Sequence, residues 1–130
     1  MSDTDEVRLA VPARPEFLRL ARVTAAGLAG RLGFVYDEVE DIRLAMDELC
    51  FGAVGSRGRD GTVEITFRST VDKLVIEGRG RFDDAGSPPG LNDLSRLVLA
   101  AVADEHDLTA LDGGVEFRLV KRHSQRASSD

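Results

Sequence analysis

Cysteine is almost absent: Cys50 stands alone among 130 residues, so no disulfide can form within the chain and the fold must rest on its apolar core. Cys50 lies inside a helical apolar pattern, where a free thiol acts as a small buried apolar group, which suits a reducing cytoplasm. Long hydrophobic runs are missing too. Nothing approaches the roughly 20 apolar residues of a membrane span, and no charged segment leads into an apolar one as an export signal would. A soluble cytoplasmic protein with no membrane contact is expected. Only His106 and His123 could offer imidazole, and neither has a cysteine or carboxylate at a metal-site spacing, so both read as surface histidines and no metal site is expected from them. The Walker loop, the nucleophile elbow and the dinucleotide glycine fingerprint are absent, as are internal repeats and low-complexity linkers.

Positive charge is in deficit. Seventeen Lys and Arg stand against 23 Asp and Glu, a net charge of −6, which disfavours direct binding to a nucleic-acid backbone and points to protein or small-molecule partners. Basic residues do gather locally, Arg57 and Arg59 after the second helical pattern and Arg79 and Arg81 in what reads as a later loop. Isolated loop arginines are ordinarily solvated. These four are nevertheless the candidates for meeting an acidic partner surface.

The residues that are present alternate between two periods. "VRLAV", residues 7–11, reads as a strand ending at Pro12, and a helix follows from Pro15 with Phe17, Leu20 or Ala21, Thr24, Leu28 and Leu32 at helical spacing up to Gly33. Gly27 and Gly30 weaken that helix, and close packing against a neighbour would explain them. A second helix opens at Tyr36-Asp37, with Asp37 as N-cap and Glu40 completing a box-like cap, and Val39, Ile42, Met46, Leu49 and Ala53 forming one apolar face. Gly55, Gly58 and Gly61 end it. "TVEITFRS", residues 62–69, turns Val63, Ile65 and Phe67 inward, and "LVIEG", residues 74–78, returns as its hairpin partner. Residues 78–90 read as a loop, residues 91–103 as a largely buried third helix, and "HDLTAL" with "VEFRLVKR" as a second hairpin turned by Asp112, Gly113 and Gly114.

The order is strand, helix, helix, two strands, helix, two strands. Helices set against a mainly antiparallel sheet make a two-layer α+β sandwich, with three helices on one face. One domain over 7–122 is expected, with loose ends at 1–6 and 123–130.

Glu48 is the side chain to single out for chemistry, because a carboxylate on a helix facing a cleft can serve as a general base. Asp47 points about 100° away around the helix, so the two cannot share a proton. Gly52 follows Glu48 by one turn on the same face.

The element order, with "DIRLAMDELCFGAV" on the second helix and "ADEHDLTALDGGVEFRLVKR" at the end, resembles the anti-sigma-factor serine kinases of RsbW/SpoIIAB type within the GHKL superfamily. That resemblance implies the histidine kinase-like ATPase fold, also called the Bergerat fold. It also implies a sigma factor and a STAS-type anti-anti-sigma antagonist as partners, ATP and magnesium as cofactors, and a possible homodimer. Glu48 matches the family's glutamate, thought to be the base for the attacking hydroxyl. Gly52 stands where the magnesium-binding asparagine belongs. In one register of "EGRGRF", Glu77 replaces the adenine-reading aspartate while Arg79 and Arg81 replace two glycines. In the other, Gly78 and Gly80 keep the glycine spacing and Ile76 replaces the aspartate. The glycine pair at the phosphates is reduced to Gly90, with Pro88 at its first position, and Gly113-Gly114 is followed by Val115 where the family has threonine.

Each departure has a physical consequence. Glycine offers magnesium no oxygen, arginine cannot stand where backbone must approach a ligand, and proline removes a donor from phosphate. Phosphoryl transfer depends on positioning and metal-assisted charge stabilisation, so Glu48 alone cannot carry it. The resemblance, with these departures, implies an anti-sigma-type regulator that binds proteins stoichiometrically over an impaired nucleotide site. An active ATP-dependent serine kinase, and a scaffold module unrelated to sigma factors, are the alternatives.

Overall fold

A computed structural model describes residues 5–84 and 86–123. The elements run β1 (Asp5–Pro12), α1 (Pro15–Arg31), α2 (Tyr36–Val54), β2 (Gly61–Ser69), β3 (Lys73–Phe82), α3 (Asp93–Val102), β4 (Glu105–Leu111) and β5 (Gly114–Arg122). The five strands form one antiparallel sheet in the order β1-β2-β3-β5-β4. Three helices with one such sheet give the two-layer α+β arrangement expected of a histidine kinase-like ATPase fold.

The alternation on β2 sets the layers. Val63, Ile65 and Phe67 are buried, as their period-2 pattern requires, and their neighbours in register on β3 are Gly80, Gly78 and Ile76. These pair onward with Val115, Phe117 and Leu119 of β5. Ile42, Met46, Leu49 and Ala53 of α2 pack into the same core, which joins sheet and helices.

Several expectations need correction. The loop expected over 78–90 is shorter, because β3 continues through Phe82 and is paired on both sides, with β2 and with β5. Its glycines are strand residues at a crowded crossing: a Cβ on Gly78 would lie 2.2 Å from the Phe117 ring. The inward row of α1 is Leu18, Ala21, Ala25 and Ala29, whereas Phe17 and Leu20 are exposed. A Cβ at Gly27 or Gly30 would meet nothing within 4 Å, so no close intramolecular packing explains them.

The cap of α2 also differs. Its N-cap is Val35, and Glu38 reaches back to accept from the Val35 amide at 3.0 Å, which settles one of the donors a helix start leaves over. The third helix is not largely buried: Ser95 and Leu99 face inward, while Leu94 and Leu97 are each 69% exposed. His123 is buried with its ring edge-on to Phe34, 4.7 Å between centroids, rather than on the surface. Asp5 and Glu6, expected to be loose, belong to β1. The rest of the expected loose ends, residues 1–4 and 124–130, lies outside the described residues. No described helix is long and apolar enough to cross a membrane.

Candidate functional site

Glu48 lies on α2 and is half-buried where α3 begins. Its Oε1 accepts a hydrogen bond from the Ser95 hydroxyl at 2.7 Å. Ser95 is held from behind: Asn92, the N-cap of α3, accepts from the Ser95 amide at 2.7 Å. A buried serine hydroxyl thus points at a carboxylate, the same geometric relation a general base has to an attacking hydroxyl.

One turn along α2, Gly52 is buried under the chain that leads into α3. The Gly90 amide donates to the Gly52 carbonyl at 2.9 Å. A Cβ placed on Gly52 would come within 3.0 Å of Leu91 Cδ2, 3.1 Å of the Gly90 carbonyl oxygen and 3.1 Å of Leu108 Cδ1. Gly90 itself has φ +78°, a conformation that favours glycine, and this turns the chain so that Leu91 reaches α2. Gly52, Gly90 and Glu48 are therefore neighbours. Their surroundings are apolar side chain and backbone, with Ser95 taking the carboxylate. Among the described residues, no group of three or more His, Cys, Asp and Glu side chains converges as a metal site would require.

Glu77, Arg79 and Arg81 are not brought to this place. They alternate on β3 with Gly78 and Gly80, and the glycines are the residues that face the helices. The opposite face of the sheet carries a row of charge. Arg8 pairs with Glu6 at 2.8 Å, Glu6 with Arg68 at 3.1 Å, Arg68 with Glu77, Glu77 with Arg118 at 3.5 Å, and Arg118 with Glu105 at 2.7 Å. The row crosses all five strands. Arg79 belongs to the same face and pairs with Glu116, while Arg81 is exposed. Exposed pairs of this kind add little stability each, but they hold opposite charges in register across the strands. The Glu6 carboxyl is held below its ordinary pKa by its bond to Arg8 and then by Arg68.

Gly114 lies at the start of β5, against β3. A Cβ there would fall 2.2 Å from the Gly80 carbonyl oxygen, so it is a packing glycine of the hairpin. The two loop arginines differ from each other. Arg57 is exposed, whereas the Arg59 side chain is only 9% exposed, with its guanidinium carbon 3.9 Å from the Phe82 ring centroid and its nitrogens donating to Asp84 and the Gly86 carbonyl. Arg59 is thus a buried scaffold residue rather than an exposed solvated charge. The Asp84 carboxyl is lowered by that guanidinium and then by the Gly86 amide.

Ser95, Asn92 and Leu91 were not singled out by the sequence. Asn92 three residues before Ser95 is a legible N-cap signal that starts α3 at Asp93. The Ser95 contact with Glu48 spans 47 positions and leaves no local trace.

No protein-family profile matches the chain. Curated proteins do resemble it. The serine-protein kinase RsbW of Bacillus pumilus (strain SAFR-032) is 38% identical over 92 residues, which is 64% of this chain and 57% of that protein. RsbW of Bacillus subtilis (strain 168) is 36% identical over 78 residues, 58% of this chain and 49% of the relative. RsbW of Bacillus cereus is 32% identical over 100 residues, 75% and 60% respectively. The chain thus spans about half to three-fifths of the length of these relatives.

Proposed function

We propose that this chain, a relative of the RsbW serine-protein kinases, is an anti-sigma-type regulator that acts by binding a sigma factor, a STAS-type antagonist, or both, over a nucleotide site that no longer works. One observation carries the reading: the helix position matched to the magnesium-binding asparagine is Gly52, and the space beside it is filled by Leu91, Leu108 and the Gly90 carbonyl. Magnesium wants oxygen ligands in near-octahedral geometry, and Glu48, one turn before Gly52, is bonded to Ser95. The residues present therefore do not suit Mg-ATP, and no step of the proposed activity runs through it. Regulation would follow from occupancy of a protein surface, with apolar anchors supplying affinity and surrounding charge supplying selectivity.

Calorimetric titration of the chain with Mg-ATP tests this. No heat of binding is expected, and clear micromolar affinity would overturn it.

A second reading has its own support. The relatives are named serine-protein kinases, and Glu48 already accepts from a serine hydroxyl as a base would. In that reading Glu48 would take the proton from a serine hydroxyl on a STAS-domain antagonist, and that oxygen would receive the γ-phosphoryl group of ATP, with ADP leaving. Labelled ATP and such an antagonist would then show transfer that Glu48→Gln abolishes. Absence of transfer with the unaltered protein removes the reading.

A further inference from the structure

Three guanidinium groups come together where the loop after α2 meets the start of α1. Arg14, Arg57 and Arg59, with Gly58, Asp60 and Asp84, line a cavity of about 360 Å³. None of these residues takes part in the contacts of Glu48, Gly52, Leu91 and Ser95. The local chain is built to hold this arrangement. Gly58 has φ +77°, and a Cβ there would lie 2.7 Å from the Ala13 carbonyl oxygen, so the loop presses directly on the residues that open α1. The Arg59 amide donates to that same carbonyl at 2.8 Å, and the Asp83 amide donates to the Asp60 carbonyl at 2.8 Å.

The charge in the recess is incompletely answered. Asp84 is bonded to Arg59, and Asp60 lies 3.7 Å from Arg14, which is at the limit of an ion pair. Arg57 has no ion pair among the described residues. Three cations against two carboxylates leave a local charge of about +1 on a protein whose net charge is −6. One further feature favours an anion. Arg59, nine-tenths buried and stacked on the Phe82 ring, keeps its second terminal nitrogen, Nη1, shielded from solvent and without a hydrogen-bond partner among the described residues.

We propose that the recess bounded by Arg14, Arg57 and Arg59 binds an oxyanion of the phosphate class. A tetrahedral dianion suits it because it offers several acceptor oxygens to forked guanidinium donors, and arginine matches phosphate in both charge and geometry. Free inorganic phosphate and a phosphorylated serine side chain share this chemistry. The stacked Arg59 and the tight Gly58 turn preorganise the cluster, while Arg57, exposed and without an ion pair among the described residues, is the member left to pair with the ligand.

The test is a titration of the whole chain at constant ionic strength, followed by amide chemical shifts. Inorganic phosphate is one probe and a phosphoserine peptide the other, with the unphosphorylated peptide as control. Saturable shifts are expected at Arg14 and at Arg57 through Asp60. Arg57→Ala should weaken binding about tenfold, as loss of one charged hydrogen-bond partner would, with Arg57→Lys between the two. Tighter binding of the phosphopeptide assigns the recess to a phosphorylated side chain, and tighter binding of phosphate to the free ion. Either supports the proposal. Shifts that never saturate, or that persist unchanged in Arg14→Ala/Arg57→Ala, overturn it. Both arginines are exposed, so the variants fold.

Discussion

Ser95 on α3 donates its hydroxyl hydrogen to the Glu48 carboxylate on α2 at 2.7 Å, and this bond joins the two helices across the chain's candidate base. Removing the hydroxyl leaves a half-buried carboxylate short of a partner, and such a loss costs about 1–3 kcal/mol when water cannot fully replace it. Ser95→Ala should therefore lower the unfolding free energy by an amount at the lower end of that range, read as a lower urea midpoint with no change in the slope of the transition. Glu48→Gln keeps an acceptor and should cost less. Equal losses in the two variants would show that the bond contributes nothing specific.

Gly52→Asn introduces, one turn past Glu48, the residue type that the resemblance implies for this position. Its side chain would enter space now held by Leu91, Leu108 and the Gly90 carbonyl, at 3.0–3.1 Å from the first added carbon. Overpacking of this kind costs about 1–3 kcal/mol, more than the few tenths gained by removing glycine from a helix. The variant should be less stable in urea, and it should still fail to bind Mg-ATP by calorimetry. Tight binding on this one change would mean that the segment around Gly90 yields easily.

How legible these contacts are in the sequence depends on their range. Val63, Ile65 and Phe67 announce their face by alternation, and Ile42, Met46, Leu49 and Ala53 announce theirs by steps of three and four, because each pattern is local and large side chains have to be buried. On α1 the same rule is right in part: Ala21 is buried and Leu28 and Leu32 pack against the core, but Phe17 does not. Phe17 and Leu20 are the bulky residues, yet Ala21, Ala25 and Ala29 face inward, since small side chains let this helix lie close to the core. Arg79 and Arg81 read as loop because the glycine, proline and aspartate of residues 78–90 are poor strand formers. Pairing with β2 and β5 on both sides overrides that preference. The contact of Glu48 with Ser95 and of Gly52 with Leu91 depends on where α3 docks, which no local pattern encodes.

The Cys50 thiol is pushed from 9.0 up to about 12, first by burial and then by the negative charge of Asp47. A thiol reagent attacks the thiolate, so in the folded protein at pH 8 modification should be about a thousandfold slower than in urea, as three units of pKa require. The folded state holds its proton to higher pH than the unfolded chain does. This contribution to stability is therefore complete below about pH 9 and is lost as pH rises towards about 12. Cys50→Ala should flatten the alkaline fall in stability over that window. A rate of labelling equal in native and unfolded protein would contradict both expectations.

Gly78 and Phe117 face each other across β3 and β5, and the aromatic ring occupies the volume that the missing side chain leaves. Phe117 is 3% exposed, so its ring has nowhere to retreat without disturbing the core. Gly78→Ala would put a carbon 2.2 Å from the ring, and strain of that order should cost at least the upper part of the 1–3 kcal/mol usual for overpacking. Phe117→Leu alone should also destabilise, through the cavity it leaves. Together they should be less harmful than the sum of the two, because a shorter side chain at 117 gives room to the methyl at 78. Such a shortfall in a double-mutant cycle, about 1 kcal/mol or more, is the signature of direct contact. Additive losses would place the cost of Gly78→Ala in the strand backbone instead, and the glycine would then be needed for conformation rather than for the ring.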